Sequence, residues 1–137
     1  MVAKVFMIAS AAIILALGLI HLAYTFRGPR FNPRDPSLKA AMRRVSPVLT
    51  RETTMWKAWV GFNASHSMGA MLFGLIYGYL ALSHSEILFR SHYLLGVGLT
   101  MLGGLAVLGR LYWFRIPFVG ICAATVSFVA AIAFSPA

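Results

Sequence analysis

Two histidines and an asparagine, His21, Asn63 and His66, lie within long apolar runs of this 137-residue chain. An ionisable or amide side chain is costly in an apolar medium, so such residues are paired or used. Facing imidazoles could ligate a haem b iron, with Arg27, Lys57 or Arg110 meeting the propionates. They could instead hold a quinone head group, or pass protons as a histidine relay in a small transporter. The plainest chemistry is structural: Asn63 and His66 hydrogen-bond His21, Ser67, Thr125 or a backbone carbonyl and lock two helices together. Trp56, Trp59, Asn63 and His66 recur at helical spacing and share one face, while Gly18, His21 and Thr25 share another. With Ser67 and Arg110 added, these residues are the candidate ligand or cofactor site.

Other chemistries lack parts. The three carboxylates, Asp35, Glu52 and Glu86, all fall outside the apolar runs, so neither a catalytic metal site nor an acid-driven proton path is expected. Ser65, His66 and Ser67 are sequence neighbours that diverge around a helix, with no acid to orient the histidine for serine hydrolysis. Cys122 is the single cysteine and reads as a small buried apolar residue. His84 and His92 lie near the opposite surface and read as solvated. No catalytic residue is assigned, and a non-enzymatic protein is expected.

The elements that must position these residues are four stretches free of Asp, Glu, Lys and Arg: Val5 to Phe26, Ala58 to Ser85, Ser91 to Gly109, and Ile116 to Ala137. Each approaches or exceeds the ~20 residues that cross a hydrocarbon core as a helix. Hydrophobic residues make up 60% and charged residues 11% of the chain, far from the ~25% charged of soluble domains. The expected fold is therefore all-α, a four-helix transmembrane bundle running up-down-up-down. It forms a single domain over 1–137, with spans near 5–26, 56–82, 91–110 and 116–135. The first stretch is longer than a signal peptide's apolar region and reads as a retained helix.

The net charge of +9 is unevenly placed, which argues for membrane orientation rather than nucleic acid as partner. Arg27, Arg30, Arg34, Lys39, Arg43, Arg44, Arg51 and Lys57 lie between the first two spans, and Arg110 and Arg115 between the last two. Only Lys4 and Arg90 fall on the other side. Basic loops stay in the cytoplasm, so a cytoplasmic loop over 27–55 and non-cytoplasmic termini are expected. His21 and Asn63 then lie ~9 Å and His66 ~13 Å inside the cytoplasmic ends of their spans, at 1.5 Å per residue. Arg110 lies five residues inside Arg115. These groups converge on one layer.

Within the first loop, Asp35 and Pro36 are an N-cap and first helical residue. Leu38, Ala41, Met42 and Val45 share a face, predicting a short amphipathic interfacial helix over 36–45. Arg27, Arg30, Arg34, Lys39, Arg43 and Arg44 are candidate contacts to anionic lipid head groups. Thr50 to Thr53 is expected to open the second span, and Ser83 to Glu86 to turn into the third. Arg110 to Pro117 is expected to join the last two. Gly74 with Gly78, Thr100 with Gly104, and Ala123, Ser127 and Ala131 are small-residue stripes by which helices could pack on each other, on a second copy or on other membrane subunits.

The runs Asn32-Pro33-Arg34-Asp35-Pro36, Ser46-Pro47-Val48-Leu49-Thr50-Arg51-Glu52-Thr53-Thr54-Met55-Trp56-Lys57-Ala58-Trp59, Gly61-Phe62-Asn63-Ala64-Ser65-His66-Ser67 and Gly74-Leu75-Ile76-Tyr77-Gly78-Tyr79 resemble a family of small uncharacterised bacterial four-helix inner-membrane proteins. The resemblance implies that topology and a bacterial inner membrane, and it implies no catalytic residue. The expected role is a subunit-packing or lipid- or ligand-binding module with an intramembrane His/Asn pocket. The alternatives are a redox protein holding haem b or a quinone between His21 and His66, and a small transporter.

Overall fold

A computed structural model describes residues 1–135, all of whose regular structure is helical. Pro136 and Ala137, the end of the fourth apolar stretch, lie outside the described residues. The helices are α1 (Val2–Phe26), α2 (Pro36–Arg44), α3 (Met55–Ser83), α4 (Ser85–Arg90), α5 (His92–Tyr112) and α6 (Arg115–Ala133). Helices suit such a sequence because an apolar medium offers backbone N–H and C=O groups no partner outside the segment.

Three of them, α1, α5 and α6, are long and apolar enough to cross a membrane. The expectation of four such segments is thus met on length and hydropathy by three. α3 is the longest helix at 29 residues, ~44 Å by its rise. Its apolar character is diluted by Asn63, Ser65, His66 and Ser67, the same residues that could do chemistry.

Several boundaries differ from expectation for local reasons. Thr50 does not open α3: its Oγ1 accepts from Glu52 N at 3.2 Å in a loop turn, and Thr54 Oγ1 accepts from Lys57 N at 3.3 Å instead. The expected turn at Ser83 to Glu86 gives way to the six-residue α4. Ser91 then caps α5 by accepting from Leu94 N at 3.2 Å. Between α5 and α6 only Trp113 and Phe114 remain, because Pro117 fits the first turn of α6, where its missing N–H costs nothing. α2 ends at Arg44, one residue earlier than expected, as Ser46-Pro47 blocks continuation.

Two compact units make up the chain: Met1–Leu17 with Ala70–Ala137, and Gly18–Gly69. In the first, Met7, Ala11 and Ile14 of α1, Phe73, Tyr77 and Ala81 of α3, Leu95 and Leu102 of α5, and Ile121, Ala124 and Phe128 of α6 form the core with Leu88 of α4. Each set recurs at three-, four- or seven-residue intervals, one face per helix. The rings of Phe73, Tyr77 and Phe128 interlock at centroid separations of 4.5, 5.4 and 6.2 Å. Tyr77 Oη donates to Leu94 O at 2.6 Å, so the one polar group of this cluster is satisfied. Ser10 is also fully buried here, and its hydroxyl has no protein partner.

Close approach in this unit depends on two glycines. A Cβ at Gly74 would meet Leu15 Cβ at 2.6 Å and Ala11 O at 2.7 Å, and one at Gly98 would overlap the Phe128 ring. The expected Gly74 surface therefore packs α3 on α1. Of the other two stripes, Ala131 alone is buried in this unit. Thr100 and Gly104 are exposed, with nothing within 4 Å of a Cβ at Gly104. Ala123 is exposed too, and the buried face of α6 is Ile121, Ala124, Phe128 and Ala131.

Because backbone atoms crowd Gly74, Gly74→Ala should cost ~1–3 kcal/mol and lower the melting temperature in detergent. Gly104→Ala, in open space, should leave it unchanged or raise it. A second outcome concerns α2. Asp35 accepts from Ser37 N and Oγ, both at 2.8 Å, and the Ser37 side-chain bond foremost holds its pKa below the ordinary 3.8. The cap is therefore complete above pH 3.8 and is lost as pH falls through the lower folded value. Amide exchange at Ser37 to Lys39, corrected for its intrinsic pH dependence, should accelerate on acidification and, at neutral pH, in Asp35→Ala.

Candidate functional site

The second unit holds His21 on the last turns of α1 and Trp56, Trp59, Asn63, His66 and Ser67 on the first turns of α3. Here the expected convergence is present. His21 Nε2 lies 2.9 Å from Asn63 Oδ1. A carbonyl oxygen can only accept, so Nε2 carries the proton and donates. The amide nitrogen of Asn63 donates to Trp59 O at 2.8 Å, which fixes which way the amide points. Asn63 is 7% exposed, so both ends of its side chain are consumed inside the protein.

The surrounding hydroxyls complete the pattern without crossing between helices. Ser67 Oγ donates to Asn63 O at 2.9 Å and Thr25 Oγ1 to His21 O at 2.8 Å, each bonding back to its own helix. Thr125, an expected partner, donates to Ile121 O at 2.8 Å on α6 instead. Arg110 belongs to the other compact unit, exposed on the last turn of α5, and is not a member of the Gly18–Gly69 cluster.

His66 meets His21 edge to face, with ring centroids 5.2 Å apart and planes at 71°. It is also stacked with Phe62 at 6.5 Å. This arrangement does not fit a haem between the two histidines. Axial ligation needs both rings to approach one iron end-on from opposite faces, whereas these rings touch and the Nε2 of His21 is committed to Asn63. The small cavity beside Asn63, lined in part by Thr25, Phe31, Asn32, Trp56 and Trp59, has a volume of about 10 Å³. That is room for one water, against several hundred Å³ for an organic ligand.

Several participants were not legible in the sequence. Phe31 folds back so that its ring lies 4.6 Å from that of His21, and its carbonyl accepts from Trp59 Nε1 at 3.1 Å. The return is made by Gly28, whose φ of +82° is a left-handed conformation that other residues avoid. The dipeptide Gly28-Pro29 signalled a turn, though not where it would deliver Phe31. On α2, Lys39 Nζ and the Arg43 guanidinium lie 4.7 and 5.9 Å from the Trp56 ring centroid. The Arg30 guanidinium is 4.2 Å from that of Tyr24. Three of the six expected head-group cations thus stack on aromatic faces, each contact worth ~0.5–1 kcal/mol at an exposed site. Arg27, Arg34 and Arg44 are exposed.

Compared with family models, curated proteins and solved structures, the chain matches none of them.

Replacing Asn63 with Leu should leave the protein folded and reduce its stability by an amount shared with His21. A double-mutant cycle of Asn63→Leu with His21→Phe, read by thermal unfolding in detergent, should give a coupling of ~0.6 kcal/mol and no more than ~1.7. Zero coupling would mean that the two residues do not hold each other.

Proposed function

We propose that this is a non-enzymatic, multi-pass protein of a bacterial inner membrane that packs against lipids and other membrane subunits, with His21 and Asn63 as its internal lock. The observation that carries the reading is the Asn63 amide, which spends its oxygen on His21 and its nitrogen on Trp59 O. One donor and one acceptor of the amide are thus committed within the protein, and the adjoining cavity takes one water. A side chain used this way holds helices rather than reagents.

In this reading α3 is a fourth span, giving an up-down-up-down order. Phe62, Met68, Leu72, Leu75, Tyr79 and Leu82 are exposed along it, a large apolar surface that lipid would cover without penalty. The basic bias of the loop between α1 and α3 supports a cytoplasmic placement of that loop, with the outer ends of all four spans beyond it. The resemblance of the first loop and early α3 to small bacterial membrane proteins points the same way. For subunit packing, the outward Thr100 and Gly104 of α5 offer a surface where another transmembrane helix could approach closely. Transport is disfavoured because α3 continues past His66 into the interlocked Phe73 and Tyr77 rings.

Single cysteines at Arg44 and Glu86 in a Cys122→Ala background test the topology. In intact cells an impermeant thiol reagent should label the Glu86 position and spare Arg44. The purified protein should be colourless; a Soret band lost in His66→Ala would overturn the structural reading in favour of a redox one.

A further inference from the structure

An open groove of about 380 Å³ lies in the second unit, lined by Arg30, Phe31, Asn32, Pro33, Met42 and Trp59. Its walls are largely apolar, and its single charged wall residue is a cation. No carboxylate lines it. We infer that this groove binds an anionic phospholipid from the membrane in which the protein sits. One acyl chain lies along Phe31, Pro33, Met42 and Trp59, and the phosphate sits at Arg30. The inference rests on the reading of the chain as a membrane protein with α1 and α3 both spanning.

Three observations carry it. First, the volume falls in the range of small-molecule sites, ~300–1,000 Å³, which the lock cavity does not reach. Second, apolar walls with one cationic rim match an amphiphile rather than a soluble anion or an uncharged oil. The guanidinium offers planar donors suited to phosphate oxygens, and its stacking on Tyr24 at 4.2 Å pre-orients it while leaving its N–H edge available. Third, with α1 and α3 both spanning, the groove falls at headgroup level. Its residues come from the chain just past the end of α1, from α2, and from the first turns of α3. The surrounding loop is strongly cationic: residues 27–57 hold eight basic and two acidic side chains, and one of those acids, Asp35, is engaged in capping α2. A zwitterionic lipid carries the same phosphate, but its headgroup ammonium cancels the net charge that Arg30 and the surrounding cationic loop attract.

Trp59 reports on the groove directly, since its ring forms a wall while its N–H is held by Phe31 O. The full-length protein would be placed in nanodiscs containing phosphatidylglycerol or phosphatidylcholine brominated on the acyl chains at equal mole fraction. Quenching assigned to Trp59 is taken as the difference from Trp59→Phe. Brominated phosphatidylglycerol should half-saturate the quenching at about fivefold lower mole fraction, the ratio that one surface cation at ~1 kcal/mol provides. Arg30→Gln should bring that ratio to one, and Arg30→Lys should restore most of it. Met42→Trp, which fills the groove, should reduce quenching by both lipids. Equal half-saturation by both lipids in the native sequence would overturn the inference, as would an unchanged preference in Arg30→Gln. A preference removed by raising salt but untouched by Arg30→Gln would assign it to the loop's general charge and would also overturn it. None of these three results bears on the His21–Asn63 coupling or on loop topology, so failure here is distinguishable from failure of the membrane reading.

Discussion

A buried amide has four hydrogen-bonding opportunities and, away from water, few ways of meeting them. Asn63 meets its two principal needs with one partner on each of two helices, His21 of α1 and Trp59 of its own α3. That requirement orders much of what surrounds it. His21 must present Nε2 as a donor, so its tautomer is set. The imidazole is set at an angle against two further rings, those of Phe31 at 4.6 Å and His66 at 5.2 Å. Gly28 returns the chain for this contact, and Trp59 anchors the Phe31 carbonyl. Residues that could serve a ligand are here bonded to and packed on one another.

The other unit is held differently. Lipid tails are as apolar as leucine, so burying apolar surface between helices gains little there, and contact area with close fit must do the work. Gly74 lets α3 approach α1 until backbone meets backbone, and Gly98 leaves a slot into which the Phe128 ring fits. The three interlocked rings then fill the space that small residues would leave open. Ser10 is the exception: a buried hydroxyl without a protein partner, where Ser67 and Thr125 bond back to their own helices.

What could be read from residues alone follows the same physics. The meeting of His21, Asn63 and His66 was legible because clustered charges mark where the helices begin and a constant rise converts residue counts into depth. Which group accepts from which was not, since depth says nothing about rotamers. Helix faces were legible only where a polar group or steric need marked them. Gly74 was placed correctly, whereas Thr100 with Gly104 and Ala123 turned outward. In a helix meant for lipid both faces are apolar, and the usual contrast between inside and outside disappears. The short α4 was missed because Ser83-His84-Ser85 is composed like a turn and the Ile87-Leu88-Phe89 run behind it is too brief to show a period. The contacts of Phe31, Lys39 and Arg43 depend on a left-handed glycine and on a loop's path, neither of which periodicity encodes.

The connection between α1 and α3 is nominally long, yet it is stitched to the helices on either side. Arg27 N bonds Ala23 O at 2.8 Å, Phe31 O accepts from Trp59, and Met55 N bonds Val45 O at 2.8 Å. Segment 46–54, inside the last of those stitches, closes in local turns, Thr50 N to Pro47 O at 3.3 Å and Glu52 N to Thr50 Oγ1 at 3.2 Å, and its tip, Val48 and Leu49, is almost wholly exposed. A break in the backbone between Val48 and Leu49 would sever none of the three attachments. The chain is thus divisible at that tip into two pieces that carry their own mating surfaces, a seam along which the protein could be made in halves and rejoined without a covalent link.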